Sequence, residues 1–385
     1  MSLAPQLVHA DFNNYAQTNL VSDIPGLAAN TDPKLVNPWG IAFGPTSPFW
    51  ISDNKTGLST LYRGNGQIVP LVVTIPPVGA AAPTGAVFNE SANFNGDVFL
   101  FGSEDGTIAG WRGALGTFAE VLVLGSSSAV YKGIALSPNG DLLYAANFRA
   151  GTIDVFKGNI GAIPPSGNFT DPNLPAGYAP FNIENIGGLL YVTYAQQDAD
   201  KHDDVAGAGH GFVDLFDLDG NFVKRLVSQG ALNSPWGMAL APAGFGAFGN
   251  DLLIGNFGDG TINAFDLSTG NLLGTLEDSN GQPIVNQGLW GLQFGNNNAT
   301  FDPHALYFTA GIPGDGQVED HGLFGKLQPV PEPGSALLFG TVLLGAVCFT
   351  RRRKSEAAAS NPSVQTAIST GSVSKMRRCG SRPGI

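Results

Sequence analysis

A degenerate repeat of 45 to 55 residues constrains the fold of this chain more than any other feature. Its clearest copies read Asn37-Pro38-Trp39-Gly40 and Ser234-Pro235-Trp236-Gly237, each followed by apolar residues. With the weaker copies included, the central positions of the motif are 40, 85, 133, 182, 237 and 291, and five of these six are glycine. A unit that recurs at this spacing is typical of repeat architectures, in which each unit packs against its neighbours.

Within the repeats, further strand-like segments follow the motif and end in turns. Second strands are predicted at Phe49–Asn54, Val98–Ser103, Leu142–Asn147, Leu189–Tyr194, Leu252–Asn256 and Ala305–Thr309. Third strands are clearest at Gly106–Trp111, Gly151–Phe156 and Gly260–Phe265, and fourth strands at Ile68–Ile75, Phe118–Val123, Phe222–Val227 and Leu272–Leu276. Four short strands repeated six times predict an all-β, six-bladed β-propeller with four-stranded antiparallel blades.

Two details sharpen this prediction. The central glycine is expected on the innermost strand of each blade, where backbones crowd around a channel and leave no room for a side chain. The last repeat ends near Gly322–Leu327 without a fourth strand, so we expect Tyr15–Val21 to supply it and to close the ring. Glycine makes up 53 of 385 residues and only 13% are charged, which favours short strands and tight turns over a helical bundle.

Charge is distributed unevenly along the chain. Residues 351–385 carry a net charge of +7 against −12 for the whole chain, which leaves −19 for the remaining residues. Such an acidic body lacks the clustered Lys and Arg that phosphate contacts require, which excludes a nucleic-acid partner. Between body and tail, Gly334–Thr350 has no charge in seventeen residues, the lower limit for a membrane-spanning helix.

A buried core helix is the alternative for this apolar segment. However, Arg351, Arg352 and Arg353 follow it immediately, and basic clusters stay on the cytoplasmic side of a membrane. The sequence therefore predicts a spanning helix at 335–350 and an exported body.

The segment before this helix reads Pro331-Glu332-Pro333. Pro-Glu-Pro, an apolar span and an arginine cluster in this order resemble the PEP-CTERM sorting signal of Gram-negative bacteria that make extracellular polysaccharide. The resemblance implies export, transient anchoring in the inner membrane, processing by an exosortase-type enzyme and placement at the cell surface or in its matrix. The predicted organisation is a propeller at 1–328, a Pro-rich linker at 329–334, the spanning helix, and a disordered basic tail at 351–385.

The N-terminal residues and the positions of the cysteines give further evidence on export. The first residues, MSLAPQLVHADF, lack the charged and apolar regions of a secretory signal. Either the true start lies upstream of Met1, which we favour, or the protein is not exported. The two cysteines, Cys348 and Cys379, lie in the predicted helix and the tail. The exported body is therefore expected to fold without disulfides.

An acidic loop after the second strand of the fourth repeat is the main candidate for chemistry. The segment 195–211 holds the candidate metal ligands Asp198, Asp200, His202, Asp203 and Asp204. Alternating carboxylates let a loop wrap its oxygens around a hard cation such as calcium. A solvated acidic loop and a zinc or catalytic site are the alternatives. The turn of the sixth repeat, with Asp315, Glu319, Asp320 and His321, is a weaker candidate on the same face.

Aromatic residues at the starts of the inner strands form a second candidate site. They are Trp39, Tyr131, Phe181, Trp236 and Trp290. A ring of aromatics at a channel mouth presents π-surfaces on which sugar rings stack. The alternative is packing between blades, where propellers place one large aromatic residue per repeat.

The repeat also resembles an uncharacterised family of secreted bacterial propellers that carry the PEP-CTERM signal. The matching motifs lie at Gln17–Asp23, Asn37–Gly40, Ser52–Asn54 and Asp198–Gly207, within a resemblance that spans roughly residues 12–328. It implies the fold and the export of the protein but no activity. No GxSxG, HExxH or cysteine-based metal motif is present in the sequence.

Two functions follow from these features. The first is a non-catalytic binding module for extracellular polysaccharide or an envelope protein. The second is a calcium-dependent hydrolase or lactonase of the six-bladed propeller type, for which Asp53, Glu104, Asp105 and Asp259 are further turn residues that could reach the channel mouth. Fold alone does not separate the two, because propellers host both binding and catalysis.

Overall fold

Short strands make up nearly all the regular structure of the part of the chain that the computed structural model describes, residues 13–77, 79–296, 301–316 and 318–330. In chain order the strands are β1 (Tyr15–Ser22), β2 (Asn30–Thr31), β3 (Pro38–Ala42), β4 (Phe49–Asp53), β5 (Leu58–Tyr62), β6 (Ile68–Thr74), β7 (Pro83–Phe88), β8 (Phe99–Ser103), β9 (Ile108–Trp111), β10 (Glu120–Val123), β11 (Tyr131–Leu136), β12 (Leu142–Asn147), β13 (Thr152–Lys157), β14 (Tyr178–Ile186), β15 (Leu189–Gln196), β16 (Phe212–Phe216), β17 (Phe222–Ser228), β18 (Pro235–Leu240), β19 (Leu252–Asn256), β20 (Ile262–Phe265), β21 (Leu272–Thr275), β22 (Leu289–Phe294), β23 (Leu306–Ala310) and β24 (Leu323–Pro329). Single turns of 3-10 helix lie at Asn54–Thr56, Phe94–Gly96, Gly113–Leu115 and Gly246–Phe248.

The strands form six sheets, which follow one another along the chain as blades. Blade 1 consists of β3–β6, blade 2 of β7–β10, blade 3 of β11–β13, blade 4 of β14–β17 and blade 5 of β18–β21, and blade 6 begins with β22. The first strand of each blade contacts the first strand of the next, and β22 contacts β3, so these strands form a closed inner ring. This confirms the predicted six-bladed propeller.

Blade 6 is completed by the N-terminal strand, as predicted. Its order is β22-β23-β24-β1, and β1 pairs antiparallel with β24 from Tyr15 opposite Pro329 to Ser22 opposite Leu323. The two-residue β2 adds a parallel edge to β1. Joining the two ends of the propeller in one sheet removes the seam at which the ring would otherwise open.

Blade 3 departs from the predicted four-stranded pattern because it has only three strands. The segment 158–177 follows β13 without forming a strand and packs against blade 4 instead. There Phe169 lies 5.7 Å from the ring of Phe216, and Asp171 forms an ion pair with Arg225. Apolar packing and a charge pair thus hold in place a segment that no strand ladder holds.

The glycines at the central position of the motif, which we call the ring glycines, lie on the inner strands and are crowded by neighbouring backbone, as the repeat predicts. A Cβ on Gly40 would lie 2.5 Å from the Thr84 carbonyl oxygen, and one on Gly291 would lie 2.6 Å from that of Trp39. Blade 4 is the exception, because Asn182 stands at the equivalent position. Its amide donates a hydrogen bond of 2.8 Å to the Trp236 carbonyl, so the side chain joins blade 4 to blade 5.

The core lies between the faces of neighbouring blades. Trp50 of blade 1 stacks on Phe99 of blade 2 with 4.2 Å between ring centroids, and Phe49 meets Phe324 of blade 6. The second strands are covered on both faces, and in β4, β8 and β23 every residue is buried. These strands begin with apolar residues on both faces, and the polar residues near their ends, such as Ser52, Asp53 and Thr309, are buried as well.

The chain divides after Val330 into a first unit, which contains the propeller, and a second unit, Pro331–Ile385. The predicted spanning helix at 335–350, the basic tail and the sorting residues Pro331–Pro333 and Arg351–Arg353 lie outside the described residues. Within the described residues, no helix has the length and apolar character needed to cross a membrane.

Candidate functional site

Four of the five predicted aromatic residues meet in one buried cluster that fills the channel. They are Trp39, Phe181, Trp236 and Trp290, and each is between 0% and 4% exposed. Trp39 stacks on Trp290 with 3.4 Å between ring centroids, and Trp236 meets Trp39 edge to face at 6.0 Å. The ring faces are taken up by one another, so stacking on a sugar would require these contacts to open. This arrangement is packing of the kind that the sequence left open as the alternative, and a role of these residues in ligand binding stays a prediction.

Tyr131, the fifth aromatic residue, lies elsewhere. It packs between blades 2 and 3, and its hydroxyl donates a hydrogen bond of 3.0 Å to Asp154. A break in the register of β11 and β12 between Tyr131 and Gly133 marks a bulge at Lys132. Lys132, and not Tyr131, therefore takes the position just before the ring glycine that tryptophan takes in blades 1, 5 and 6.

Lys132 is a buried cation above this aromatic cluster. Its side chain is 2% exposed, and its Nζ lies 2.5 Å from Glu104 Oε1 and 3.4 Å from Asp203 Oδ1. The ammonium also lies 5.0 Å from the ring centroid of Trp39, within range of a cation–π attraction. Burial lowers the pKa of Lys132, but the nearby charges of Glu104 and Asp203 outweigh it and raise this pKa.

A chain of hydrogen bonds extends from Lys132 around what we call the upper mouth, the channel end where the turns after the second strands lie. Asn54 donates to Glu104 Oε2 at 3.0 Å, and Asn37 donates to Asn54 Oδ1 at 3.2 Å. Asn37 also donates to Glu319 Oε1 at 2.9 Å. With Asp203, these residues bring polar groups from blades 1, 2, 3, 4 and 6 together at the channel axis.

The predicted acidic loop supplies two residues to the upper mouth. His202 Nδ1 and Asp203 Oδ1 are 2.8 Å apart, and the two side chains are 38% and 68% exposed. Burial favours the neutral form of Asp203, but the charge of Lys132 prevails and lowers the pKa of Asp203. Asp203 therefore faces both the solvent and the buried ammonium, and His202 contacts Asp203 from the solvent side.

The other three predicted metal ligands are placed differently. Asp198 accepts a hydrogen bond of 2.9 Å from the backbone of His202 and so shapes the loop. Asp200 is exposed to solvent. Asp204 forms a bridge with Gln197 within the loop, and burial raises the pKa of its carboxyl group. The structure therefore does not bring the five predicted metal ligands together at one point. Their role as calcium ligands stays a prediction.

A different set of three residues has the spacing of a metal site. Glu104, His202 and Asp203 each offer one ligand atom, and these atoms lie within 4.8 Å of one another. The Lys132 ammonium contacts both carboxylates of this set, so the cluster already holds one positive charge. The sequence indicated Glu104 as a turn residue that could reach the channel mouth, and the structure places it there. Its pairing with Lys132 was not predicted, although the alignment of Lys132 with the tryptophans could have indicated it.

The weaker candidate loop of blade 6 contributes one residue to the upper mouth. Burial, together with the charge of Glu104, raises the pKa of Glu319. Asp320 instead pairs with Lys55 at 2.7 Å, and His321 with Asp23 at 2.6 Å. Of the further turn residues, Asp53 is fully buried at the end of β4 in blade 1, and this burial raises the pKa of its carboxyl group.

The C-terminal sequence matches a known sorting signal. Residues 329–354 match the family model of the PEP-CTERM protein-sorting motif. This motif implies export and processing by an exosortase-type enzyme, in agreement with the prediction from the sequence.

The propeller itself is similar to viral proteins and to other solved propellers. An "Uncharacterized protein R648" of Acanthamoeba polyphaga mimivirus is 38% identical over 71% of this chain and 72% of its own length. "Uncharacterized protein L690" of the same virus is 34% identical over 71% of this chain and 77% of its own length. A protein of unknown function from Bacteroides thetaiotaomicron has a solved structure with a TM-score of 0.52 and 12% identity, over 82% of this chain and 76% of that one.

The solved structure supports the fold alone, since its sequence identity is low. The relatives are viral, so the bacterial family predicted from the sequence stays a prediction. At the identity and coverage found for the viral proteins, the chain belongs to the same protein family as the mimivirus proteins R648 and L690.

Proposed function

We propose that this protein is an exported, non-catalytic binding module that holds an extracellular polysaccharide at its upper mouth. The observation that carries the proposal is the convergence of polar side chains from five blades on one hydrogen-bonded network. Carboxylates and amides of this kind bind the hydroxyl groups of sugars, and Asp203 and His202 are exposed enough to do so.

The excess of negative charge at the upper mouth restricts the kind of polysaccharide that this site can bind. Glu104, Asp203 and Glu319 surround a single cation, Lys132, which gives the network an excess of carboxylates. Like charges repel across such a site, so an acidic polysaccharide is disfavoured. We therefore propose an uncharged polysaccharide, with an envelope protein as the alternative partner.

Affinity electrophoresis of the full-length chain tests this proposal. Migration is compared in gels that contain a neutral polysaccharide such as dextran or galactomannan, or the acidic polysaccharide alginate. We expect a neutral polysaccharide to retard the protein and the Asp203→Asn variant to lose about tenfold in affinity. Asp200→Asn, an exposed change in the same loop, is the matched control and should bind as the unchanged protein does. Equal binding by both variants, or retardation by alginate alone, contradicts the proposal.

A calcium-dependent hydrolase or lactonase is the second candidate, and the cluster of Glu104, His202 and Asp203 favours it. Its test is the metal content of the full-length chain after incubation with calcium and removal of the free ion. One retained ion, lost in a His202→Ala variant, would support a calcium site and justify a search for lactone hydrolysis. A chain without bound calcium, whose melting temperature does not respond to a chelator, would exclude this candidate.

The proposed cellular location of the protein rests on the sorting motif. We assign 1–328 to the exported propeller, 335–350 to a helix that anchors it in the inner membrane, and 351–385 to a cytoplasmic basic tail. Expression in Gram-negative hosts with and without an exosortase tests this assignment. We expect the propeller at the cell surface or in the matrix of the first host and in the inner-membrane fraction of the second. The same distribution in both hosts would contradict it.

A further inference from the structure

The end of the channel opposite the upper mouth opens into a cavity that no proposed function uses. This cavity, which we call the lower vestibule, has a volume of about 200 Å³. Residues of blades 1, 2, 3, 4 and 6 line it, among them Phe43, Phe88, Leu136, Glu184 and Gln293. Farther in, towards the aromatic cluster, the channel narrows to about 10 Å³, room for one water molecule, and Glu184 lines this part as well.

The register of the repeat explains why the vestibule is open and why it holds a charge. Two residues beyond the ring position, the other blades carry small or uncharged side chains: Ala42, Val87, Ala135, Ala239 and Gln293. Blade 4 carries Glu184 at this level. The alanines leave space at the channel axis, and Glu184 is the one charged residue of the level.

Glu184 has no partner among the described residues. Neither a hydrogen bond nor an ion pair joins its carboxylate to them, and no Lys, Arg, His or second carboxylate lines the vestibule or the narrow part of the channel. The neighbouring Asn185 is engaged elsewhere, since its amide donates to the Leu136 carbonyl at 3.0 Å and its oxygen accepts from Gly188. Burial without a counter-charge raises the pKa of Glu184 to about 8.

We propose that the lower vestibule binds a primary alkylammonium group, whose charge pairs with Glu184 and whose chain packs on the apolar wall. One carboxylate matches a single positive charge, whereas calcium takes six to eight oxygens and usually several carboxylates. The wall includes Phe43, Phe88 and Leu136, which suit an unbranched alkyl chain and, in the two rings, attract a cation. A free amine and a lysine side chain of a partner share this chemistry.

Titration calorimetry of the full-length chain with n-butylammonium tests the proposal. Binding requires an ionised Glu184, so the apparent affinity should rise about tenfold for each pH unit between 6 and 8 and level off above 8. The Glu184→Gln variant should lose at least tenfold in affinity at pH 9. Glu90→Gln is the matched control, because Glu90 borders a neighbouring cleft on the same face, and its affinity should be unchanged. A melting curve for each variant shows that it is folded.

Two further probes complete the experiment. Neutral n-butanol has nearly the same shape and should not bind; binding of both compounds alike would overturn the proposal, as would equal affinity of Glu184→Gln or no saturable binding of n-butylammonium. A lysine tripeptide with blocked ends separates the two sources. Tighter binding than n-butylammonium identifies a protein side chain as the ligand, and weaker binding identifies a free amine.

Discussion

The two ends of the central channel hold carboxylates in opposite electrostatic settings. At the upper mouth, Glu104 lies 2.5 Å from the Lys132 ammonium and accepts a further hydrogen bond from Asn54. At the lower vestibule, Glu184 has no partner among the described residues. The pKa of Glu184 is raised to about 8 by burial, whereas the pKa of Asp203 is lowered because attraction to Lys132 outweighs its burial.

The difference shows that the position of a buried or half-buried charge in the repeat decides whether it finds a counter-charge. Lys132 stands one residue before a ring glycine, on the side where the turns of several blades bring polar groups. Glu184 stands two residues beyond the ring position, where the other blades contribute alanine, valine or glutamine. A buried charge is stabilised by its counter-charge and not by burial itself. The carboxylates of the upper mouth therefore share a counter-charge within the protein, whereas Glu184 has none among the described residues.

The largest expected effect comes from removing the buried cation of the upper mouth. We expect Lys132→Met to lower the free energy of unfolding by about 3–5 kcal/mol, because Glu104 is left as a partly buried charge without its partner. Chemical denaturation measures the loss. The double variant Glu104→Gln/Lys132→Met should recover part of it, since no unpaired charge remains. A loss below 1 kcal/mol would show that the ion pair does not hold the upper mouth together.

Removing the charge of the lower vestibule should raise the free energy of unfolding, in contrast to the loss expected for Lys132→Met, and the gain should depend on pH. The folded pKa of Glu184, about 8, exceeds its ordinary value of 4.5, so the native state binds the extra proton between these values. Wild-type stability therefore falls as pH rises through this window. With allowance for water in the vestibule, Glu184→Gln should be more stable than wild type by about 2–4 kcal/mol at pH 9. The variants should be equal near pH 5, and melting curves across this range would reveal a constant difference if the assignment is wrong.

A side chain at a ring glycine, between the two ends of the channel, should lower stability. A Cβ on Gly40 meets only backbone atoms of blade 2, so Gly40→Ala should cost about 1–3 kcal/mol through forced backbone shifts. Gly113→Ala is the control, because nothing lies within 4 Å of a Cβ there, and it should stay within about 0.5 kcal/mol of wild type. Similar denaturation midpoints for the two variants would argue against a crowded ring.

The smallest effect is expected at the solvent-facing rim of the upper mouth. His202 is 38% exposed and pairs with Asp203, which is more exposed still. Such surface pairs contribute little, so His202→Ala should change the free energy of unfolding by less than about 1 kcal/mol. A loss comparable to that of Lys132→Met would place the histidine inside the buried network.

Much of the fold follows from local sequence patterns. The second strands predicted at Leu142–Asn147 and Leu252–Asn256 have the bounds of β12 and β19, and the predicted closing strand corresponds to β1. Blade 3 is the exception, since the segment after β13 is held by Phe169 and Asp171 rather than by a strand ladder. Contacts of this kind join distant parts of the chain and leave no periodic signal.

The sequence by itself determined the number of blades, the closure of the ring and the sorting motif, because glycine spacing, apolar runs and short motifs are local properties of the chain. Only the tertiary structure decided which charges meet. Glu104 and Asp203 are 28 and 71 residues from Lys132, and a bulge between Tyr131 and Gly133 turns Lys132 towards the channel. These pairs join side chains of different blades, and the spacing of the repeat, which places Lys132 level with the tryptophans, does not encode which carboxylates reach it.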